Sequence, residues 1–483
     1  MSFVAELEPK ILWTHFDEIL KIPRGSGQEE RIREHVISVA QTYGLEHKVD
    51  AAGNVVVYKP GTKGHEKAPA TVLQAHLDMV HQKNSDVEFD FDNDAIVPRR
   101  DGDYVKATGT TLGADNGIGV ASMMAVMEAK DIVHGPLEFL FTVDEETGLT
   151  GATNLGEGLL QGRRLLNVDS EEEGVLTIGC AGGADSHVYL PLAKQTVPSG
   201  SEALAIRLFG LKGGHSGIDV HLQRGNAGRL LSRALYAVLP RQLFRIAELQ
   251  GGNAHNAIPR EATATIVAAK GIDRLRDLMA AQLETIRNEF RPAEPDMQFS
   301  IEVGEAQGHV WTAESTAHGL QLIVGLPHGI EGMSYDIKGL VETSTNEAVI
   351  KEDDGRLSIL MSSRSSEASA LEALRQRIRA IGSLAGADVV EDDGYPGWKP
   401  DVSSHLLEVL KEVHEQVVGT APEIGAVHAG LECGIIGEKY PGMDMISLGP
   451  QIEFPHSPDE RVKVDSVGTF YDLLTRTLER LMR

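Results

Sequence analysis

The chain has 483 residues, too many for one ordinary hydrophobic core, so two or three domains are expected. Hydrophobic residues make up 41% and charged residues 24%, the profile of a folded globular chain rather than a disordered one. Asp and Glu (71) outnumber Lys and Arg (45), and the resulting formal charge of -26 repels phosphate backbones and anionic lipid, which argues against nucleic-acid and membrane-surface partners.

The sequence opens MSFVAELEPKILW, acidic early and without a basic segment leading into an apolar run. No stretch reaches the ~18 consecutive apolar residues that a membrane-spanning helix needs. The cysteines, Cys180 and Cys433, are too few for a disulfide framework, so a reducing, cytoplasmic setting is expected. Ser26 and Glu29 have capping-box spacing, and Ile32, Val36, Val39 and Tyr43 then recur at helical intervals until Gly44. Short β-rich runs follow at NVVVY (54–58), ATVLQAHLD (70–78), LEFLFTV (137–143) and LLNVD (165–169). Between them GIGVASMMAVMEAK (117–130) is apolar nearly all round, as a buried helix would be. Strands alternating with helices predict an α/β domain with its sheet covered on both faces.

After GCAGGAD (179–185) the character changes to longer alternating strands and amphipathic helices, such as SEALAIRLFGL and NAGRLLSRALYAVL. A second boundary is expected near DDGYPGWKP (392–399), where Gly, Pro and Asp cluster. Beyond it a helix at 404–417 and the run MDMISLG (443–449) resume the opening pattern. The expected organisation is a catalytic α/β domain with a mixed sheet flanked by helices, formed by 1–183 and 396–483. An α+β insertion, 184–395, interrupts it and is large enough to hold two similar α+β units.

Potential metal ligands stand where these β-rich runs stop. His76 and Asp78 are two apart, which on a strand places both on one face, so an imidazole ligand can have a carboxylate beside it. Asp115 lies in a glycine-bracketed turn before the buried helix. Glu145 and Glu146 are adjacent where an apolar strand stops, an arrangement costly through repulsion unless cations or protons separate their roles. Asp169 ends the next run, and His456 follows MDMISLG. Each has a commonplace alternative: a buried strand histidine, an N-cap aspartate, a solvated turn. Their recurrence at predicted carboxyl ends of an open α/β sheet favours a shared site. Imidazole and carboxylate ligands without thiolate suit zinc, manganese or cobalt(II), and five ligands with one carboxylate shared fit two ions about 3.5–4 Å apart better than one.

These motifs resemble those of the carnosinase, aminoacylase and glutamate-carboxypeptidase family of co-catalytic dizinc peptidases. The likeness runs from IPRGSGQEE (22–30) through HLDMV, GTTLGADNGIG, DEETGLTGA, NVDSEEEG and IGCAGG to GGHSGIDVHLQRGNA, GGNAHNAIPREA, HAGLECG and FPHSPDERV, most of the chain. The resemblance implies that Asp115 bridges two metals, that His76 and Asp169 complete one site, and that Glu146 and His456 complete the other. It implies Glu145 as general base, Asp78 as the carboxylate orienting His76, and a cis peptide bond between Asp115 and Asn116. The insertion resembles the family's lid, in which His215 of GGHSG matches a residue that polarises the scissile carbonyl, often in a partner subunit's site. The same resemblance implies that Asn256 and Arg364 sit where the family binds substrate polar groups, the Arg364 fork suiting a C-terminal carboxylate, and that Glu432 lies in the glycine-rich segment near the substrate. The implied activity is hydrolysis of unblocked dipeptides, including Xaa-His and β-alanyl-histidine, through a hydroxide bridging two ions, zinc first and cobalt or manganese as alternatives. An N-acyl-amino-acid deacylase or tripeptide aminopeptidase with the same metal site is the runner-up, and an inactive metal- or peptide-binding relative is disfavoured because every expected ligand and the base are present. A homodimer formed through the lid is also implied.

Overall fold

The computed structural model describes residues 2–482, which divide into two compact units. The first runs to Gly179 and resumes over Trp398–Ala426 and from Leu431 onward, while the second comprises Cys180–Gly397 and Val427–Gly430. The short return of 427–430 to the second unit has no signal in the sequence pattern.

An eight-stranded sheet, among the described residues, forms the centre of the first unit. Four neighbouring strands run parallel: Leu137–Thr142, Thr71–His76, Arg164–Asn167 and Asp444–Ser447. Thr71–His76 and Leu137–Thr142 are buried at every position, as parallel strands covered on both faces must be. Val55–Lys59 and Glu46–Val49 continue the sheet antiparallel. The apolar segment after Asp115 forms the helix Ala114–Glu128, buried from Ala114 through Met127, and packs on the Thr71–His76 strand and the helix Lys10–Ile19. The helix His405–Val418 packs on Asp444–Ser447 and on Val464–Arg480.

The helix expected after Ser26 spans Glu30–Thr42 and stops where Gly44 takes φ +67°. Its expected capping box does not form. Ser26 Oγ donates instead to Asp78 Oδ2 at 2.7 Å, because a buried carboxylate has greater need of the hydroxyl than a helix end open to water. Glu29 turns back to accept the N–H groups of Gly27 and Asp144.

The second unit holds, among the described residues, a continuous antiparallel sheet of nine strands and a separate two-stranded sheet, Lys194–Thr196 with His309–Trp311. Its strands alternate between buried and partly exposed positions, as in Gly182–Pro191, so one face carries most of the apolar residues. The helices Ala227–Val238, Ile272–Phe290, Ala313–Gly325 and Ala368–Ala385 bury their apolar stripes in a core with Leu204, Ile266, Trp311 and Ile359. No helix among the described residues is long and apolar enough to cross a membrane.

Candidate active site

Parallel pairing brings strand ends into line: His76 lies opposite Thr142, Gln74 opposite Asn167, and Asn167 opposite Ser447. Residues that follow these ends are therefore delivered to one edge of the sheet. His456 arrives differently, on a turn between the short strands Ile452–Glu453 and Arg461–Lys463. These strands join the hairpin Pro98–Asp101/Tyr104–Ala107 in a four-stranded antiparallel sheet. That hairpin leads into the loop carrying Asp115, so one small sheet supports both the turn and the loop.

Asp115 stands between two imidazoles. Its Oδ1 is 3.0 Å from His76 Nε2 and its Oδ2 is 3.2 Å from His456 Nε2. Asp169 Oδ1 approaches His76 Nε2 at 3.3 Å, and Glu146 Oε2 approaches His456 Nε2 at 2.9 Å. Two sets, His76/Asp115/Asp169 and Asp115/Glu146/His456, each offer ligand atoms within 4.8 Å of one another, and Asp115 belongs to both. Glu145 joins His76 and Glu146 in a third such set. The peptide bond between Asp115 and Asn116 is cis.

Behind these groups stands a supporting layer. Asp78 Oδ1 faces His76 Nδ1 at 3.3 Å, and its two oxygens accept the N–H groups of Glu145 and Glu146, both at 3.1 Å. One carboxylate thereby orients a histidine and the turn that carries both glutamates. The buried Arg24 donates to the carbonyls of Leu77 (3.0 Å) and Asp78 (2.7 Å), and also to that of Gly113. Glu460 accepts the successive N–H groups of Leu112, Gly113, Ala114 and Asp115. Asn116 Nδ2 donates to Asp169 Oδ1.

So many buried carboxylates repel one another, and their titration reflects it. Burial is the largest influence on Glu145, and with neighbouring Asp169, Glu432 and Glu146 it pushes that carboxyl well above the usual range. Asp169 is pushed up to about 6, chiefly by burial with Asp115 and Glu146 adding. Burial also works to raise Asp115, but the bonds from His456 and His76 outweigh it and hold the carboxyl low. Burial opposes a charge on His76, yet Asp169, Asp115 and Asp78 raise its pKa well above an ordinary histidine. Each imidazole Nε2 thus sits between two carboxylate oxygens where positive charge is favoured. Glu146 Oε1 is buried without a partner. An orphaned carboxylate oxygen, the shared Asp115 and the purely imidazole-carboxylate donor set fit a pair of divalent cations of the zinc, cobalt or manganese type.

Glu432 lies in the same unit, 2% exposed, with Oε2 accepting from Gln74 (2.6 Å) and Thr142 (2.7 Å) and Oε1 unpartnered. Burial pushes its carboxyl up to about 7.

The remaining expected residues lie in the second unit. His215 Nδ1 accepts the N–H groups of Gly217 (3.1 Å) and Ile218 (3.0 Å), which leaves the proton of the neutral ring on Nε2. Burial, with the nearby Arg364 charge, lowers its pKa to about 4, so the ring is neutral at pH 7. Asn256 is exposed on the adjoining loop, its carbonyl accepting from Ser216 N–H at 2.8 Å. Arg364 is 6% exposed, donates to Tyr395 Oη at 2.8 Å, and keeps a buried, unpartnered Nε. His428 is also held neutral, its pKa lowered to about 4 by burial and by Arg364, with Nε2 2.7 Å from Ser344 Oγ.

Sequence reasoning did not single out Arg24, Glu460, His428 or Tyr395. Arg24, Glu460 and His428 fall inside the motifs IPRGSGQEE, FPHSPDERV and HAGLECG, so the signal was present, but their burial and backbone partners come only from the fold.

The sequence profile of peptidase family M20/M25/M40 matches residues 72–480. The cytosol non-specific dipeptidase of Escherichia coli K12 is 42% identical over 482 residues, covering 100% of this chain and 99% of that protein. The crystal structure of aminoacylhistidine dipeptidase from Vibrio alginolyticus superimposes with a TM-score of 0.92 at 41% identity, covering 99% of both chains. Aminopeptidase PepT from Bacillus cereus ATCC 10987, at 17% identity, shares the fold with a TM-score of 0.58 over 99% of this chain and 100% of that one. With the profile spanning most of the sequence and two full-length relatives above 40% identity, the chain belongs to peptidase family M20/M25/M40.

Proposed function

We propose that the chain is a dinuclear metallo-dipeptidase acting on unblocked dipeptides, Xaa-His and β-alanyl-histidine among them. The observation that carries this reading is the Asp115 carboxylate presenting one oxygen to His76 and the other to His456. His76 and Asp169 would hold one ion, Glu146 and His456 the other, with Asp115 between them. Divalent cations bound there would lower the pKa of water from 15.7 towards ~7 and polarise the peptide carbonyl. Zinc is the proposed ion.

Glu145 is the proposed general base. Its carboxyl, grouped with His76 and Glu146, is placed to take a proton from the attacking water and return it to the leaving amine. Asp78 keeps His76 oriented and holds the Glu145–Glu146 turn by two N–H bonds, so base and ligands share one anchor. The neutral His215, a donor at Nε2, is the proposed group that stabilises negative charge on the carbonyl oxygen. Arg364, whose buried Nε lacks a partner, is the proposed reader of the C-terminal carboxylate, and Asn256 a further substrate contact. Glu432 is proposed to act beside the site rather than on substrate, because one of its oxygens is already committed to Gln74 and Thr142.

The relatives named as dipeptidases support the substrate class. A cytoplasmic location and a homodimer through the second unit complete the reading. The test is metal analysis of the purified chain joined to activity on dipeptides, tripeptides and N-acyl-amino acids, before and after chelation. Two ions per chain with chelator-sensitive dipeptide hydrolysis support it; preference for acyl-amino acids or tripeptides would move it to the runner-up.

A further inference from the structure

We propose that Glu460 is a positioning residue that sets the distance between the two ion-binding halves of the site, an inference resting on the dinuclear reading above. The loop entering a helix presents N–H groups that have no acceptor within the helix. Glu460 takes four of them in succession: Oε2 accepts from Leu112 (2.7 Å) and Gly113 (2.9 Å), Oε1 from Ala114 (2.7 Å) and Asp115 (3.2 Å). Only a carboxylate side chain offers enough acceptor positions on two oxygens for all four.

Glu460 closes the same turn that carries His456, with its own N–H donating to Ser457 O at 3.0 Å. The carboxylate is 2% exposed. Through it, the loop bearing Asp115 is fixed directly to the turn bearing His456. Arg24 grips that loop from its carbonyl side at Gly113 and also holds Leu77 and Asp78, next to His76. Loss of the Glu460 grip therefore frees Asp115 from the His456 turn while Arg24 still ties its loop to Leu77 and Asp78, so the ion held with His456 should be weakened most.

A merely structural carboxylate exists for comparison. Glu138 is 4% exposed and accepts the N–H groups of Gln161 and Gly162 near the start of the Leu137–Thr142 strand, the end opposite the site. The experiment compares the full-length parent chain, Glu460→Gln and Glu138→Gln by zinc competition with a chromophoric chelator, bound zinc per chain, and melting of the chelated protein. In Glu460→Gln one zinc dissociation constant, that of the ion held with His456, should rise 10- to 100-fold, the usual effect of removing a group that positions ligands, while the other changes less. Its kcat should fall with KM little changed. Glu138→Gln should bind zinc like the parent even if it melts lower. If Glu460→Gln fails to fold, Glu460→Asp, which keeps the charge but shortens its reach, carries the same expectation. Parental zinc affinity in the Glu460 variant, or equal weakening in both variants, overturns the role of Glu460 alone. A parent chain that binds no zinc overturns the dinuclear reading and this role with it.

Discussion

Glu145 and Glu146 are adjacent in sequence, and Asp78 holds both through their backbone N–H groups, but their side chains face different tasks. Glu146 is 2.9 Å from His456, whereas no imidazole bond commits Glu145 and burial keeps its carboxyl inclined to hold a proton. Glu145→Gln keeps the size and removes the base, so kcat should fall by about 10²–10⁴, the usual worth of general acid–base catalysis, while bound metal per chain stays at the parental value. Metal analysis beside steady-state kinetics checks this. Asp78→Ala should do the reverse, weakening metal binding about 10–100-fold through loss of the His76 partner, measured by chelator competition. The presence of both glutamates at a strand end was legible, because an apolar run stopped at two acids. Their division of labour came from the family resemblance and not from spacing, since it depends on which side chain the turn sends towards His456.

At the scale of elements, the site depends on how closely the buried helix approaches the strand ends. A methyl group at Gly119, on the Ala114–Glu128 helix, would lie 2.5 Å from the carbonyl oxygen of Val168 and 1.9 Å from Asn116 Oδ1. Gly119→Ala should therefore push the helix off the strand end next to Asp169 and cost about 1–3 kcal/mol, readable in urea unfolding. It should also weaken metal binding, because Asn116 is the donor to Asp169. Helix and strands here were legible in the sequence: 117–130 read as buried, and 70–78 and 137–143 read as strands that end in ligands. Local rules failed where a distant partner competed. Ser26 had capping-box spacing, but Asp78, brought near by the sheet, took its hydroxyl. The return of Val427–Gly430 to the second unit left no mark in composition or periodicity.

At the scale of the molecule, ions should act on stability through the first unit, while the second unit adds a pH dependence of its own. Two ions bound as proposed would stabilise the folded first unit by mass action, about 4 kcal/mol per site at a thousandfold excess over the dissociation constant. Chelation should lower the melting temperature and increase amide exchange at Leu112–Asp115 and around His456, but not in the sheet of the second unit. In that unit His428 is held neutral, with a pKa near 4 against 6.5 in the unfolded chain. The unfolded state therefore binds the extra proton first as pH falls. His428 favours the fold fully above about 6.5, and that advantage is lost progressively down to about pH 4, by up to about 3 kcal/mol. Replacing His428 with Asn should reduce the slope of this part of the stability curve while leaving the share of His215, as chemical denaturation at several pH values would reveal. The partition into units was only partly legible, because turn-rich segments mark where the chain leaves and rejoins the first sheet but not its brief excursion later.

The parallel order Leu137–Thr142, Thr71–His76, Arg164–Asn167, Asp444–Ser447 places the last central strand far along the chain from its neighbours. During synthesis, the first three strands emerge long before the segment from Asp444 to Glu460 that supplies the final imidazole and its clamp. The proposed ligand set is therefore complete only once that late segment has left the ribosome, so the proposed site cannot assemble on a partly made chain.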